Sequence, residues 1–209
     1  MRARLIAPLV LGLTLGLGGP ASAVLKKDAP FVPFSLKNVD GTVFTVTMES
    51  GRLVLITETN AGGTPQTVKT WPDAVLLDFW ATWCVPCRAS MPHMQAFHDK
   101  YGAAPGRESG GLRLFGVAID QKGGDIVKPF FAKLKFTYPM LCDPSPRASN
   151  DGLARTTKEI QARYGVQAIP VVFVIDASGK ITHSHVGFKP EHVAELDAAI
   201  SGLMSGGTK

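Results

Sequence analysis

"LLDFWATWCVPCRASMP", residues 76–92, decides how this chain is read. Its front half belongs to "AVLLDFW", residues 74–80, an apolar run broken only by Asp78, which predicts a central strand buried on both faces. Its back half opens a helix predicted over 85–101, where Cys87, Met91, Met94, Phe97 and Tyr101 fall at helical spacing on one apolar face. Cys84 and Cys87 therefore sit where a buried strand ends and a helix begins. Backbone N–H groups at a helix start favour negative charge, so the Cys84 thiolate is stabilised there. The thiolate is the nucleophile of thiol–disulfide exchange. Cys87, one turn further in, is placed to attack a mixed disulfide held on Cys84. Pro86 suits the first turn, where its missing N–H costs nothing.

A Cys-x-x-Cys pair has two other uses. Zinc needs four ligands, and no second pair is present among the three cysteines. A fixed bridge across one helical turn closes a loop too small to constrain the unfolded chain much. Redox exchange is the favoured reading, with no metal site and no cofactor expected.

The same stretch resembles the active-site segment of the thioredoxin superfamily. "ATWCVPC" points to the extracytoplasmic TlpA/ResA-like reductases of that superfamily. A second match lies in "YGVQAIPVVFVIDASGKITHSHVGF", residues 164–188. The resemblance covers about residues 31–204 and implies a thioredoxin fold: an α/β domain with a central mixed sheet flanked by helices. An N-terminal β extension and a central helix–strand insertion, "KGGDIVKPFFAKLKFTYPML" (122–141), would be added to it. It also implies a cis Ile169–Pro170 bond against the cysteine pair, offering backbone to a substrate strand; from the residues alone Pro170 could equally be a trans proline starting a strand. Trp83 would shield the thiol and touch substrate. The implied task is reduction of disulfides in protein substrates, such as haem-binding cysteines of apocytochrome c or copper-site cysteines. A membrane electron-donor protein would recharge the dithiol.

Two residues depart from the branch. Asp78 stands where TlpA-like chains more often have asparagine, and Ser90 stands where they often carry a glutamate. A buried carboxylate without a cation is costly unless protonated or hydrogen-bonded. Asp78 is expected to be the proton relay for Cys87, the alternative being a core aspartate with no kinetic role. Rival activities are a disulfide oxidant and a peroxiredoxin-like peroxidase; Thr82, only two residues before Cys84, does not fit the peroxidase pattern. A rival of another class is a copper or haem chaperone that uses the cysteines as ligands.

The rest of the chain frames this centre. "MRAR", an apolar run and "ASA" make residues 1–23 a secretory signal cleaved near Ala23, and 24–209 the mature thioredoxin-like domain. The expected location is the periplasm or the outside, where disulfides persist; the alternative is a membrane tether by an uncleaved N-terminal segment. Losing Arg2 and Arg4 lowers the formal net charge from +5 to +3, and no basic stripe argues for nucleic acid. A monomer is expected.

Residues 24–30 read as an exposed leader. "FVPFSLKNVDGTVFTVTM" (31–48) reads as a hairpin turning at Asp40-Gly41, "RLVLIT" (52–57) as a strand, and "TNAGGTPQTVKTWP" (59–72) as a loop. Strands are expected at 112–119, 138–141, 170–176 and 180–188, and helices at 125–134, 153–166 and 190–204. Cys142 reads as a buried, inert thiol, with pairing to another chain as the alternative. His183 and His185 share a strand face without completing a metal site, and Met48, Met91 and Met94 read as core.

Overall fold

The computed structural model describes residues 23–104, 106–144 and 151–206. The predicted signal segment, apart from Ala23, lies outside them. The core is a single mixed sheet of nine strands: β1 (Phe34–Asn38), β2 (Val43–Glu49), β3 (Arg52–Ala61), β4 (Thr64–Thr70), β5 (Ala74–Trp80), β6 (Leu112–Ala118), β7 (Met140–Pro144), β8 (Val171–Asp176) and β9 (Ile181–Val186). Four helices accompany it: α1 (Val85–Tyr101), α2 (Gly124–Phe131), α3 (Thr157–Arg163) and α4 (Pro190–Gly206). The strand order is β4-β3-β2-β1-β7-β6-β5-β8-β9. β5, β6 and β7 run parallel, and β8 and β9 close the other side antiparallel.

β5 is buried at every residue, as a strand covered on both faces must be. Its side chains alternate between two apolar layers. Val75, Leu77 and Phe79 join Phe115, Phe173, Ile160 and Tyr164 on the α3 side. Ala74, Leu76 and Trp80 join Cys87, Met91, Met94, Leu196 and Ile200 on the side of α1 and α4. Asp78, between Leu76 and Trp80 in the alternation, faces that second layer.

Several expectations need correction. The stretch 59–72 is no loop. β3 runs on to Ala61, and β4 pairs with it from Ala61↔Thr64 to Leu55↔Thr70. Gly62 and Gly63 (φ 61° and 85°) make the two-residue turn that glycines allow. Every side chain of β4 through Lys69 is exposed, so no apolar alternation marks it as a strand. Pro65 is tolerated because β4 lies at the sheet edge.

The segment 24–30 is no free leader either. Leu25 N–H donates to the Tyr164 carbonyl at 3.1 Å and Asp28 N–H to that of Ile181 at 2.8 Å. Val24, Leu25 and Ala29 pack on the core. α3 starts only at Thr157 because Thr156 caps it, Oγ1 accepting from Glu159 N–H at 3.0 Å. α2 stops at Phe131, and β7 begins two residues after the expected start of its strand. Tyr101 is half-buried, and Met48 is partly exposed rather than core.

Candidate active site

The sharp exit from β5 into α1 is fixed by one acid. Asp120, just past β6, accepts from Thr82 N–H at 3.0 Å and from Thr82 Oγ1 at 2.6 Å. Cys84 N–H then donates to the Ala81 carbonyl at 3.1 Å, closing a tight turn. Cys84 caps α1, its Sγ accepting from Cys87 N–H at 3.2 Å. Nothing in the sequence singles out Asp120. Its pairing with Thr82 spans 38 residues, and an aspartate at a strand end reads as an ordinary loop residue.

Cys84 and Cys87 are joined by a disulfide, with Cα atoms 5.3 Å apart. Cys84 is 4% exposed and Cys87 fully buried. Trp83 (67% exposed) and Val85 (65%) stand out on either side of Cys84, so the one sulfur near the surface lies in an apolar collar. Next to Trp83 is a cleft of about 570 Å³ lined by Ile119, Asp120, Gln121, Thr157, Lys158 and Gln161.

The Ile169–Pro170 bond is cis. Ile169 packs against the layer that holds Cys84 and Cys87, and Pro170 shares a small cavity with Ser90 of α1. The Pro170 carbonyl accepts from Gly187 N–H at 2.8 Å, tying the bend to the end of β9. Ser90, buried where a glutamate was the alternative, turns its hydroxyl back on the Cys87 carbonyl at 2.8 Å.

Asp78 is fully buried, and neither carboxyl oxygen has a partner among the described residues. Burial pushes its pKa from 3.8 up to about 7. It faces the same layer as Cys87. The structure thus places Cys84, Cys87 and Ile169 in one apolar layer that Asp78 faces, with Trp83 exposed beside Cys84 and Pro170 across a small cavity from Ser90. A cysteine pair there, with one sulfur slightly less buried than the other, and a buried acid raised to about 7 together suit two-electron, two-proton exchange.

The other candidates lie apart. Cys142 is a free thiol in β7, 3% exposed, its pKa pushed up to about 12 by burial and then by Asp143. Alkylation with iodoacetamide at pH 8 should therefore run roughly a thousandfold slower at Cys142 of the oxidised protein than at a free cysteine. Mass spectrometry of timed samples checks this, and modification at the rate of the unfolded chain would contradict it. His185 stacks on His192 of α4 at 4.5 Å, and burial lowers the pKa of both His183 and His185. No group of three or more His, Cys, Asp or Glu fit to hold a metal occurs among the described residues.

The Redoxin family model matches residues 34–200, most of the chain and the whole of this site. The chain belongs to the Redoxin family. Among curated proteins it is 33% identical over 129 residues to the thioredoxin-like protein YneN of Bacillus subtilis, covering 59% of this chain and 63% of that one. It is 31% identical over 114 residues to the thiol-disulfide oxidoreductase ResA of Bacillus anthracis, covering 54% of each. The chain thus spans between half and two thirds of the length of these two relatives. Among solved structures, a proposed thiol:disulfide interchange protein DsbE from Chlorobium tepidum superposes with a TM-score of 0.56 at 27% identity, over 87% of this chain and 99% of that one. The thioredoxin domain of BVU-2223 from Bacteroides vulgatus, at 15% identity and a TM-score of 0.54 over 84% and 99% of the two chains, shares the fold. This Redoxin chain is a TlpA/ResA-like member of the thioredoxin superfamily.

Proposed function

We propose that this Redoxin protein is an extracytoplasmic thiol–disulfide oxidoreductase that reduces disulfides in other proteins through Cys84 and Cys87. The observation that carries the reading is the pair's setting: Cys84 at the start of α1, Cys87 buried behind it, a buried Asp78 facing the same layer and a cis Ile169–Pro170 bond whose Ile169 packs on that layer. In the dithiol form, the Cys84 thiolate attacks a substrate disulfide. One substrate sulfur leaves as a thiolate and takes a proton, and the other stays bound to Cys84 Sγ. Asp78, as the carboxylate, accepts the Cys87 proton. Cys87 then attacks Cys84 Sγ, releasing the second substrate thiol and forming the bridge seen here. Two electrons and two protons pass to the substrate.

Trp83 and Val85 supply apolar contact to the approaching chain, and the backbone at Ile169–Pro170 orients it. The substrates are secreted proteins in the periplasm with paired cysteines, of the apocytochrome c or copper-site type. A membrane electron-donor protein returns the electrons. The basic start, apolar run and "ASA" of residues 1–23 support the location. No helix among the described residues is long and apolar enough to cross a membrane.

The reading is tested by insulin reduction with dithiothreitol as donor. The wild-type protein should accelerate insulin precipitation at substoichiometric amounts. Absence of acceleration, with a metal ion retained through dialysis, would favour a chaperone that uses the cysteines as ligands.

A further inference from the structure

A carboxylate formed in a dry layer needs donors, and two unused donors belong to the layer that Asp78 faces. Trp80 Nε1 and the Tyr138 hydroxyl are both buried and without a partner among the described residues, as are both Asp78 oxygens. An orphaned buried donor costs about 1–3 kcal/mol. Two such donors and an unpartnered acid in one layer call for a common explanation.

Strand register places them together. Asp78 of β5 pairs with Gly116 of β6, which pairs with Met140 of β7. Gly116 carries no side chain, and the space above it is taken by its neighbours. A Cβ added at Gly116 would lie 3.1 Å from Trp80 Nε1 and collide with Met140 Sδ. The indole N–H therefore hangs over the residue directly beside Asp78, about one strand spacing of 4.8 Å away. Tyr138 enters two residues before Met140 in the same apolar layer. Its hydroxyl pKa is driven upward, first by burial and then by the Asp78 charge.

We propose that Trp80 Nε1–H and the Tyr138 hydroxyl are positioning donors that receive the negative charge of Asp78 when it is the carboxylate that accepts the Cys87 proton, with Gly116 keeping the space in which the indole reaches it. The inference rests on the redox reading of Cys84 and Cys87. In the oxidised state seen here Asp78 does without them. The other elements packed on this layer bring Met91 and Cys87 from α1, Val172 from β8 and Met140 from β7. Further titratable groups at this layer are Cys142 of β7, its thiol pKa raised by burial, and His98 of α1, its ring 6.3 Å from that of Tyr138 and its pKa lowered chiefly by burial. Burial alone is the cause of the Asp78 shift, so no cation does this job.

The test is a carboxyl titration of isotope-labelled Asp78 by NMR in the full protein, alongside the indole N–H resonances. Removing a donor from the charged form disfavours that form. Tyr138→Phe, which keeps the ring and its packing, should raise the Asp78 midpoint by about one pH unit. In the wild-type protein the Trp80 indole N–H should shift with the Asp78 midpoint, and in Asp78→Asn it should stay flat. A midpoint unmoved by Tyr138→Phe, or an indole signal indifferent to Asp78, would overturn the proposal. The readout needs no turnover, so failure of the redox reading would show separately, as a wild-type protein that does not reduce insulin.

Discussion

Cys84→Ser should bring dithiothreitol-driven insulin reduction down to the uncatalysed background while leaving the fold in place. In the proposed exchange Cys84 begins the attack: within the pair it is the less buried sulfur, Cys87 being wholly buried, and Cys142 lies in β7 with a thiol held neutral well above physiological pH. Cys87→Ser should behave differently. The first attack remains possible, but nothing resolves the intermediate, so a mixed disulfide accumulates with one partner per chain. Non-reducing gels of material recovered from cells producing the variant would display it and give the substrate. If Cys84→Ser kept wild-type turnover while Cys87→Ser lost it, the order of the two cysteines would have to be reversed.

Asp78→Asn should stabilise the oxidised protein by roughly 4 kcal/mol at pH 8 and by little at pH 3. The sign follows from the raised carboxyl. Its pKa is 3.8 when the side chain is free in water and about 7 in the folded protein. Between those values the folded state binds the extra proton, so wild-type stability falls as pH rises from about 4 to about 7 and stays low above it. The variant has no such slope. Urea unfolding at the two pH values measures it, and parallel profiles for both proteins would show that Asp78 is not held protonated by burial. The same change removes the base for Cys87, so turnover at pH 7 should fall by roughly tenfold to a hundredfold. A gain in stability together with a loss of activity separates a relay from an aspartate that only fills space.

The parts of this site legible in the sequence are those written within a few residues. β5 and α1 are contiguous, one a continuous apolar run and the other an apolar stripe at 3.6-residue spacing, and the cysteines mark their junction. Pro170 needs the family resemblance, because nothing local distinguishes a cis proline from a trans proline that starts a strand. Asp120 and Tyr138 are not legible. Only the folded sheet creates their placement: Asp120 meets Thr82 across 38 residues, and Tyr138 joins the layer of Trp80 and Cys87 two residues before Met140, which lies in the row Asp78–Gly116–Met140. β4 is hidden for a different reason. Its side chains through Lys69 are exposed and, apart from Pro65 and Val68, polar, and its backbone is held by β3 rather than by burial, so composition suggests a loop. The segment 24–30 misleads in the same way, since its hydrogen bonds run to Tyr164 and Ile181 and its polar residues face out. The β3–β4 hairpin lengthens the sheet away from Cys84 and takes no part in the site.

The most direct test of the account is the reduction potential of the Cys84/Cys87 couple, followed by tryptophan fluorescence in defined dithiol buffers, with Trp83 beside the bridge as one reporter. A protein that reduces its partners should hold a potential of about −270 mV, whereas a value of about −120 mV would mark an oxidant and contradict the direction of electron flow proposed here.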